Sequence, residues 1–167
     1  MLDELTVEVS RRLRDITTMP DTDAVGATLH TAAVWLRTWL AADGQMAPVP
    51  AVDVIGTGDG NLSNFLWDGT AVRLVDFEHA RRSERAVDLA EVAEHLSARG
   101  VLDADEWLRR FDLAPGEARR LQQTRALCST YWLLCLLPGG GAASRNPAEA
   151  LVAQALRVTE LLARAPH

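Results

Sequence analysis

The sequence predicts a mainly helical α+β chain in which one small β-hairpin interrupts a succession of helices. Three observations lead there. Apolar residues recur at helical spacing over both ends of the chain, and extended-chain signals cluster only between residues 52 and 75. Within that cluster Asp68-Gly69 separates two short apolar runs, a strong hairpin signal because both residue types tolerate positive φ.

The elements follow in order. Residues 3–16 carry Leu5, Val9, Leu13 and Ile16 on one helical face, and residues 23–42 carry Val25, Leu29, Ala33, Leu36 and Leu40. Asp21, Thr22 or Asp23 can cap the second helix and Gly44 can end it, after which Pro48 and Pro50 mark an extended connection. Residues 52–55 read as a short strand, followed by a loop with glycines at 56, 58 and 60. No helix pattern follows those glycines, so they are read as a flexible loop rather than a nucleotide-binding turn. The hairpin comes next, with strands at 64–67 and 71–75. Helices are then expected at 84–99, ended by Gly100, at 103–111, at 115–137 with Pro115 in the first turn, and from Asn146-Pro147 to about residue 164. Gly139-Gly140-Gly141 lacks the lysine of a phosphate loop and reads as a linker. Cys128, Tyr131, Trp132 and Cys135 share one apolar stripe, and cysteines seven apart on one helix do not reach each other to form a bridge.

The chemistry-bearing residues lie in and beside the hairpin. Asp59 and Asn64 are five residues apart in Gly58-Asp59-Gly60-Asn61-Leu62-Ser63-Asn64, and Asp76 ends the second hairpin strand in Val75-Asp76-Phe77-Glu78. A carboxylate, an amide five residues on and a second carboxylate after a hairpin suit phosphoryl transfer, which needs an oriented hydroxyl and bound Mg²⁺. Magnesium takes few protein oxygens and completes its octahedron with water and phosphate, so Asn64 and Asp76 form an adequate pair. Asp59 would then accept the substrate hydroxyl's proton or orient it. The hairpin supplies the local reason that Asp76 returns toward Asn64. Among the histidines, only His79 is expected beside this site, as a surface imidazole.

The stretch 57–96, with Gly-Asp-Gly-Asn-Leu-Ser-Asn-Phe-Leu-Trp, Val-Asp-Phe-Glu and Val87-Asp88-Leu89-Ala90-Glu91, resembles the C-terminal lobe of the aminoglycoside phosphotransferase and choline kinase family, within the protein-kinase-like fold. In that family H-x-D-x-x-x-x-N carries a catalytic Asp and a metal-binding Asn, roles the resemblance implies for Asp59 and Asn64. It also implies metal binding for Asp76 and bracing of the catalytic loop for Asp88. Thr57 stands where the family usually has His. ATP and Mg²⁺ are the implied cofactors, and a small-molecule hydroxyl is the implied acceptor. Residues 1–51 would be a helical lead-in, 52–80 the catalytic loop and metal-binding hairpin, and 84–165 a helical, substrate-side bundle, all in a single domain spanning 1–167.

Composition bounds the reading. The chain has 167 residues, a formal charge of −6 and a pI near 5.2, which argues against a nucleic-acid partner. Arginines occur as pairs at 11–12, 81–82, 109–110 and 119–120, read as solvated faces, with Arg81 and Arg82 set apart because they directly follow the metal motif. Asp103, Asp105, Glu106, Asp112 and Glu117 would attract a cationic acceptor. No apolar run approaches the roughly 18 residues of a membrane span, and a cytoplasmic location is the simplest expectation. All seventeen basic residues are Arg. The lysine that pairs with ATP phosphates in this fold is therefore missing, and no nucleotide-binding N-terminal lobe is read before residue 52. This opens a second reading, an inactive lobe that serves as a binding or interaction module. Its exposed apolar interface would lead to self-association or meet a partner chain.

Overall fold

The computed structural model describes residues 2–16, 23–41 and 53–165, and the expected signals at Asp21, Thr22, Gly44, Pro48 and Pro50 lie outside them. The described chain is mainly α-helical with a small β component. Its elements are α1 (Leu2–Ile16), α2 (Ala24–Ala41), β1 (Asp53–Gly56), β2 (Phe65–Trp67), β3 (Val72–Leu74), β4 (Arg81–Glu84), α3 (Arg85–Glu94), α4 (Ala104–Leu108), α5 (Pro115–Leu136) and α6 (Glu149–Arg164). Single 3₁₀ turns occur at Leu62–Asn64, Leu96–Ala98 and Ala143–Arg145. No helix among the described residues is long and apolar enough to cross a membrane.

The chain divides into two compact units, one of residues 1–47 with 126–167 and one of residues 48–125. In the first, α1, α2, the later part of α5 and α6 enclose a core of Val9, Leu13, Leu29, Trp35, Leu36, Trp39, Leu127, Leu133, Val158 and Leu161. Each such residue contributes roughly 1.5–3 kcal/mol on leaving water. The apolar stripe of α2 is shifted from the expected one. Leu40 is exposed, while Trp35 and Trp39 are buried and stack at 5.6 Å, because tryptophans at i and i+4 share a face. Asp23 is the residue that caps α2, its Oδ1 accepting from the Gly26 N–H at 2.8 Å. Gln154 on α6 is fully buried and donates to the Ser129 carbonyl and hydroxyl of α5, at 2.6 and 2.9 Å. Both cysteines are buried free thiols, and Arg12 donates to Cys135 Sγ and lies over the Tyr131 ring. The glycines after α5 are a helix stop and not a linker. Gly139 has φ +82, and a Cβ on Gly140 would come within 2.2 Å of the Cys135 carbonyl oxygen.

The second unit carries both sheets. The expected hairpin is β2–β3, in the register Phe65↔Leu74, Leu66↔Arg73 and Trp67↔Val72. Its connection is a four-residue loop instead of a two-residue Asp-Gly turn. Asp68 Oδ1 accepts from the N–H groups of Thr70 and Ala71, and only Gly69 takes positive φ. The other sheet is an antiparallel pairing of β1 with β4, in which Asp53 faces Glu84 and Gly56 faces Arg81. No sequence signal marks that partner for β1, since 81–84 is polar, Arg-Arg-Ser-Glu, and short. The helix expected over 84–99 ends at Glu94: His95 adopts an extended ψ of 144° and caps the 3₁₀ turn Leu96–Ala98 through its own side chain.

Ion pairs hold α3, α4 and the first part of α5 together. Arg125 is 2 % exposed and meets Glu94 at 2.7 Å and Asp105 at 2.8 Å. Arg85 holds Glu117 with two nitrogens, at 2.7 and 2.6 Å, and Arg120 meets Glu84 at 3.1 Å. Of the arginine pairs read as solvated, Arg120 is largely covered and engaged with Glu84, whereas Arg82 meets Asp53 across the β1–β4 sheet and stays solvent-exposed.

Candidate active site

The loop between β1 and β2 is built by nested side-chain turns. The Asn61 N–H donates to Asp59 Oδ1 at 3.0 Å, and the Ser63 N–H donates to Asn61 Oδ1 at 3.1 Å. Each short polar side chain thus satisfies a backbone donor two residues on, which is how Asp and Asn shape tight loops. The Leu62–Asn64 turn that results brings the Asn64 amide back to Asp59, where Nδ2 donates to Oδ2 at 3.1 Å. Asn64 is buried and Asp59 half-buried. With Nδ2 committed to Asp59, the amide has its Oδ1 left as an acceptor.

Asp76 reaches the same region through the hairpin register. Since Phe65 opposes Leu74, Val75 comes opposite Asn64, and its N–H donates to the Asn64 carbonyl at 3.0 Å. Asp76 is the next residue. It has φ 63°, and among the described residues it is the one non-glycine in the left-handed region. Such a conformation is uncommon even for Asp and concentrates at functional sites, where the surrounding structure imposes it. Its exposed carboxylate makes no hydrogen bond or ion pair among the described residues.

Asp88 stands under the loop from α3. Its Oδ1 accepts from the Thr57 N–H at 2.9 Å, and the Gly58 N–H also bonds to its carboxylate. Thr57 uses its hydroxyl to donate to the Asp59 carbonyl at 3.1 Å. Burial pushes the Asp88 carboxyl above its ordinary value, an effect opposed by the bonds from Thr57 and Gly58. The three glycines of this loop are sites of close approach, which corrects the expectation of a flexible loop. A Cβ would fall 2.7 Å from Asp88 Oδ1 at Gly56, 2.2 Å from the His79 carbonyl oxygen at Gly58 and 2.2 Å from the Glu91 carbonyl oxygen at Gly60.

Two residues at this site were given no role from the sequence. Glu91 lies one helical turn beyond Asp88, and its Oε2 is buried without a hydrogen-bond partner among the described residues. Burial first, and then the charges of Asp88 and Asp59, raise its pKa from 4.5 to about 7, against the attraction of Arg81. The folded state therefore holds a proton that the unfolded chain releases earlier. The Glu91 contribution to stability is fully present below pH 4.5 and is lost as pH rises through about 7. We expect Glu91→Gln to flatten the stability profile across that window and to raise stability at pH 8 by on the order of 2 kcal/mol. Urea unfolding at several pH values measures this, and parallel wild-type and variant profiles would contradict it.

The second is His95. The histidine expected beside the site, His79, is an exposed imidazole turned toward Glu78, and its carbonyl packs against Gly58 of the loop. His95 instead places Nε2 3.8 Å from Asp59 Oδ1. No local pattern announces it, because His95 and Asp59 are brought together by the packing of the loop on α3.

The acidic residues offered to a cationic acceptor are mostly occupied internally. Asp105 and Glu117 pair with Arg125 and Arg85, Glu106 pairs with Arg109 and Arg110, and Asp103 caps α4. Asp103, Glu106 and Asp112 remain exposed. Among the described residues no three His, Cys, Asp or Glu side chains converge as a metal-binding group. No family model matches the chain, and comparison with curated proteins and with solved structures finds no match.

Proposed function

We propose that the loop and hairpin from Thr57 to Asp88 form the metal- and acceptor-binding half of a phosphoryl-transfer site, as in the small-molecule kinases that the sequence resembles. The observation that carries this reading is the hydrogen bond from Asn64 Nδ2 to Asp59 Oδ2, with Asp76 brought alongside by the hairpin register. Asp59 accepts the hydrogen bond of a small-molecule alcohol and aims its oxygen at the phosphorus. The bonds from Asn61 and Asn64 fix the carboxylate's plane before substrate arrives. Asn64 Oδ1 and the Asp76 carboxylate are hard oxygen donors, a set that fits Mg²⁺. When bound, Mg²⁺ from Mg·ATP would neutralise charge on the transferring group. Asp88 keeps the loop seated through the Thr57 and Gly58 N–H groups. Such an arrangement works by positioning the reactants and stabilising charge, which together supply most of the acceleration in phosphoryl transfer.

The test is turnover of labelled ATP with Mg²⁺ against a panel of amino alcohols and aminoglycosides. Asp59→Asn is expected to lower kcat by at least about a hundredfold with nucleotide affinity retained. One observation favours the interaction-module reading. Leu66, Trp67, Val72, Leu74 and the adjoining Val75 are all exposed, with Trp67 66 % exposed, so the hairpin offers apolar surface of the kind that partners cover. Wild-type protein without detectable nucleotide binding by calorimetry would overturn the catalytic reading and leave the hairpin as the functional surface.

A further inference from the structure

His95 is held in one tautomer by its neighbours. The Ser97 N–H donates to His95 Nδ1 at 3.0 Å, and the Ser97 hydroxyl lies 2.7 Å from the same nitrogen. A nitrogen that accepts a backbone N–H carries a lone pair, so Nδ1 is the acceptor, the hydroxyl donates to it, and the ring proton resides on Nε2. The same Ser97 oxygen accepts the Leu62 N–H at 2.8 Å. One serine therefore ties the Asp59–Asn64 loop to the turn after α3 and sets the ring whose Nε2–H faces Asp59. His95 is largely buried, and burial holds its imidazole below the ordinary pKa against the pull of Asp59. The separation of 3.8 Å is just beyond hydrogen-bond reach. Catalytic contacts are often long without substrate and tighten in the complex.

We infer that His95 is a positioning residue for Asp59, with its Ser97-locked Nε2–H restraining the Asp59 carboxylate from the side of α3. Here Thr57 stands between β1 and Asp59 and bonds to the Asp59 backbone carbonyl and to Asp88, so it gives the Asp59 carboxylate no side-chain support. His95 supplies that support from another element. Asn64 and Asn61 hold the carboxylate from the loop, and His95 bounds it at Oδ1 from the far side. The inference rests on the phosphoryl-transfer reading for its kinetic consequence, but its geometry is testable without substrate.

Two measurements on the full chain decide it. In ¹⁵N-histidine NMR, His95 is expected as the neutral Nε2–H form, and Asp59→Asn should lower its pKa by removing the adjacent negative charge. An Nδ1–H form, or a His95 titration indifferent to Asp59→Asn, would overturn the inference whether or not the protein turns over. In kinetics, His95→Ala is expected to lower kcat by about tenfold to a hundredfold, the size of a sub-ångström to ångström misplacement, with nucleotide affinity within about twofold. His95→Gln, which restores an N–H donor of similar reach, should recover most of the loss. Equal losses in both variants, or an unchanged kcat in His95→Ala, would sink the positioning role. Absence of turnover in wild-type protein would instead count against phosphoryl transfer, leaving the tautomer and Asp59 coupling to be read by NMR.

Discussion

Arg125→Ala is expected to destabilise the chain by about 3–5 kcal/mol, the cost of breaking a buried ion pair from one side. Arg125 is 2 % exposed, and its guanidinium lies between Glu94, itself 4 % exposed, and Asp105. Removing it strands the Glu94 carboxylate in a low-dielectric site without its cation. The penalty belongs mainly to that stranded charge, since a buried pair by itself is close to neutral once desolvation is counted. The double variant Arg125→Met with Glu94→Leu should therefore recover a large share of the loss, while Asp105, being partly exposed, can turn to water. Urea midpoints of the single and double variants measure the difference. A double variant no more stable than Arg125→Ala would show that the pair, and not the stranded charge, sets the cost. By contrast, surface pairs such as Arg11 with Glu8 should leave the midpoint nearly unchanged when cut.

Gly60→Ala is expected to damage the site severely although it adds only a methyl group. The added Cβ would lie 2.2 Å from the Glu91 carbonyl oxygen and 2.6 Å from the Val92 nitrogen. Both are helix backbone, so the loop must move and the helix will not. Displacing the loop pulls Asp59 away from Asn64, Asp88 and His95 together, at a cost of about 1–3 kcal/mol for the overpacking. Under the proposed phosphoryl-transfer function, a shift of the carboxylate by an ångström would lower turnover on the order of a hundredfold. Gly69→Ala is the control. Gly69 has φ +97, but a Cβ there meets nothing within 4 Å, so it carries the backbone cost without a collision. Equal effects of the two substitutions on activity would exclude close packing against α3 as the reason for glycine at position 60.

The hairpin, the Asp59–Asn64 spacing and the adjacency of Asp76 were legible because each rests on chemistry within a few residues. Asp68 bonding to its own turn and the nested turns of Asp59 and Asn61 need no distant partner. The β1–β4 sheet was not legible. Its partners lie 25 or more residues apart, and β4, Arg81–Glu84, carries polar side chains that resemble a helix lead-in. Nor was the burial of Arg125, or the pairing of Arg120 with Glu84. A periodic apolar pattern marks which face of a helix turns inward, but it does not reveal that a charged residue on that face has a carboxylate opposite.

Residue order alone was enough to specify a chain that is mostly helix with one hairpin, and to gather a carboxylate, an amide and a second carboxylate at that hairpin's base. Those outcomes depend on local propensity, turn chemistry and side-chain period, all of which act along the chain. Folding in three dimensions was needed to make Gly56, Gly58 and Gly60 points of close approach, to leave Glu91 holding a proton near neutral pH, and to bring His95, 36 positions beyond Asp59, against its carboxylate. Each of these depends on how closely the loop packs against α3 and neighbouring segments. Distance and desolvation, which set contacts and pKa values, arise only when distant segments meet.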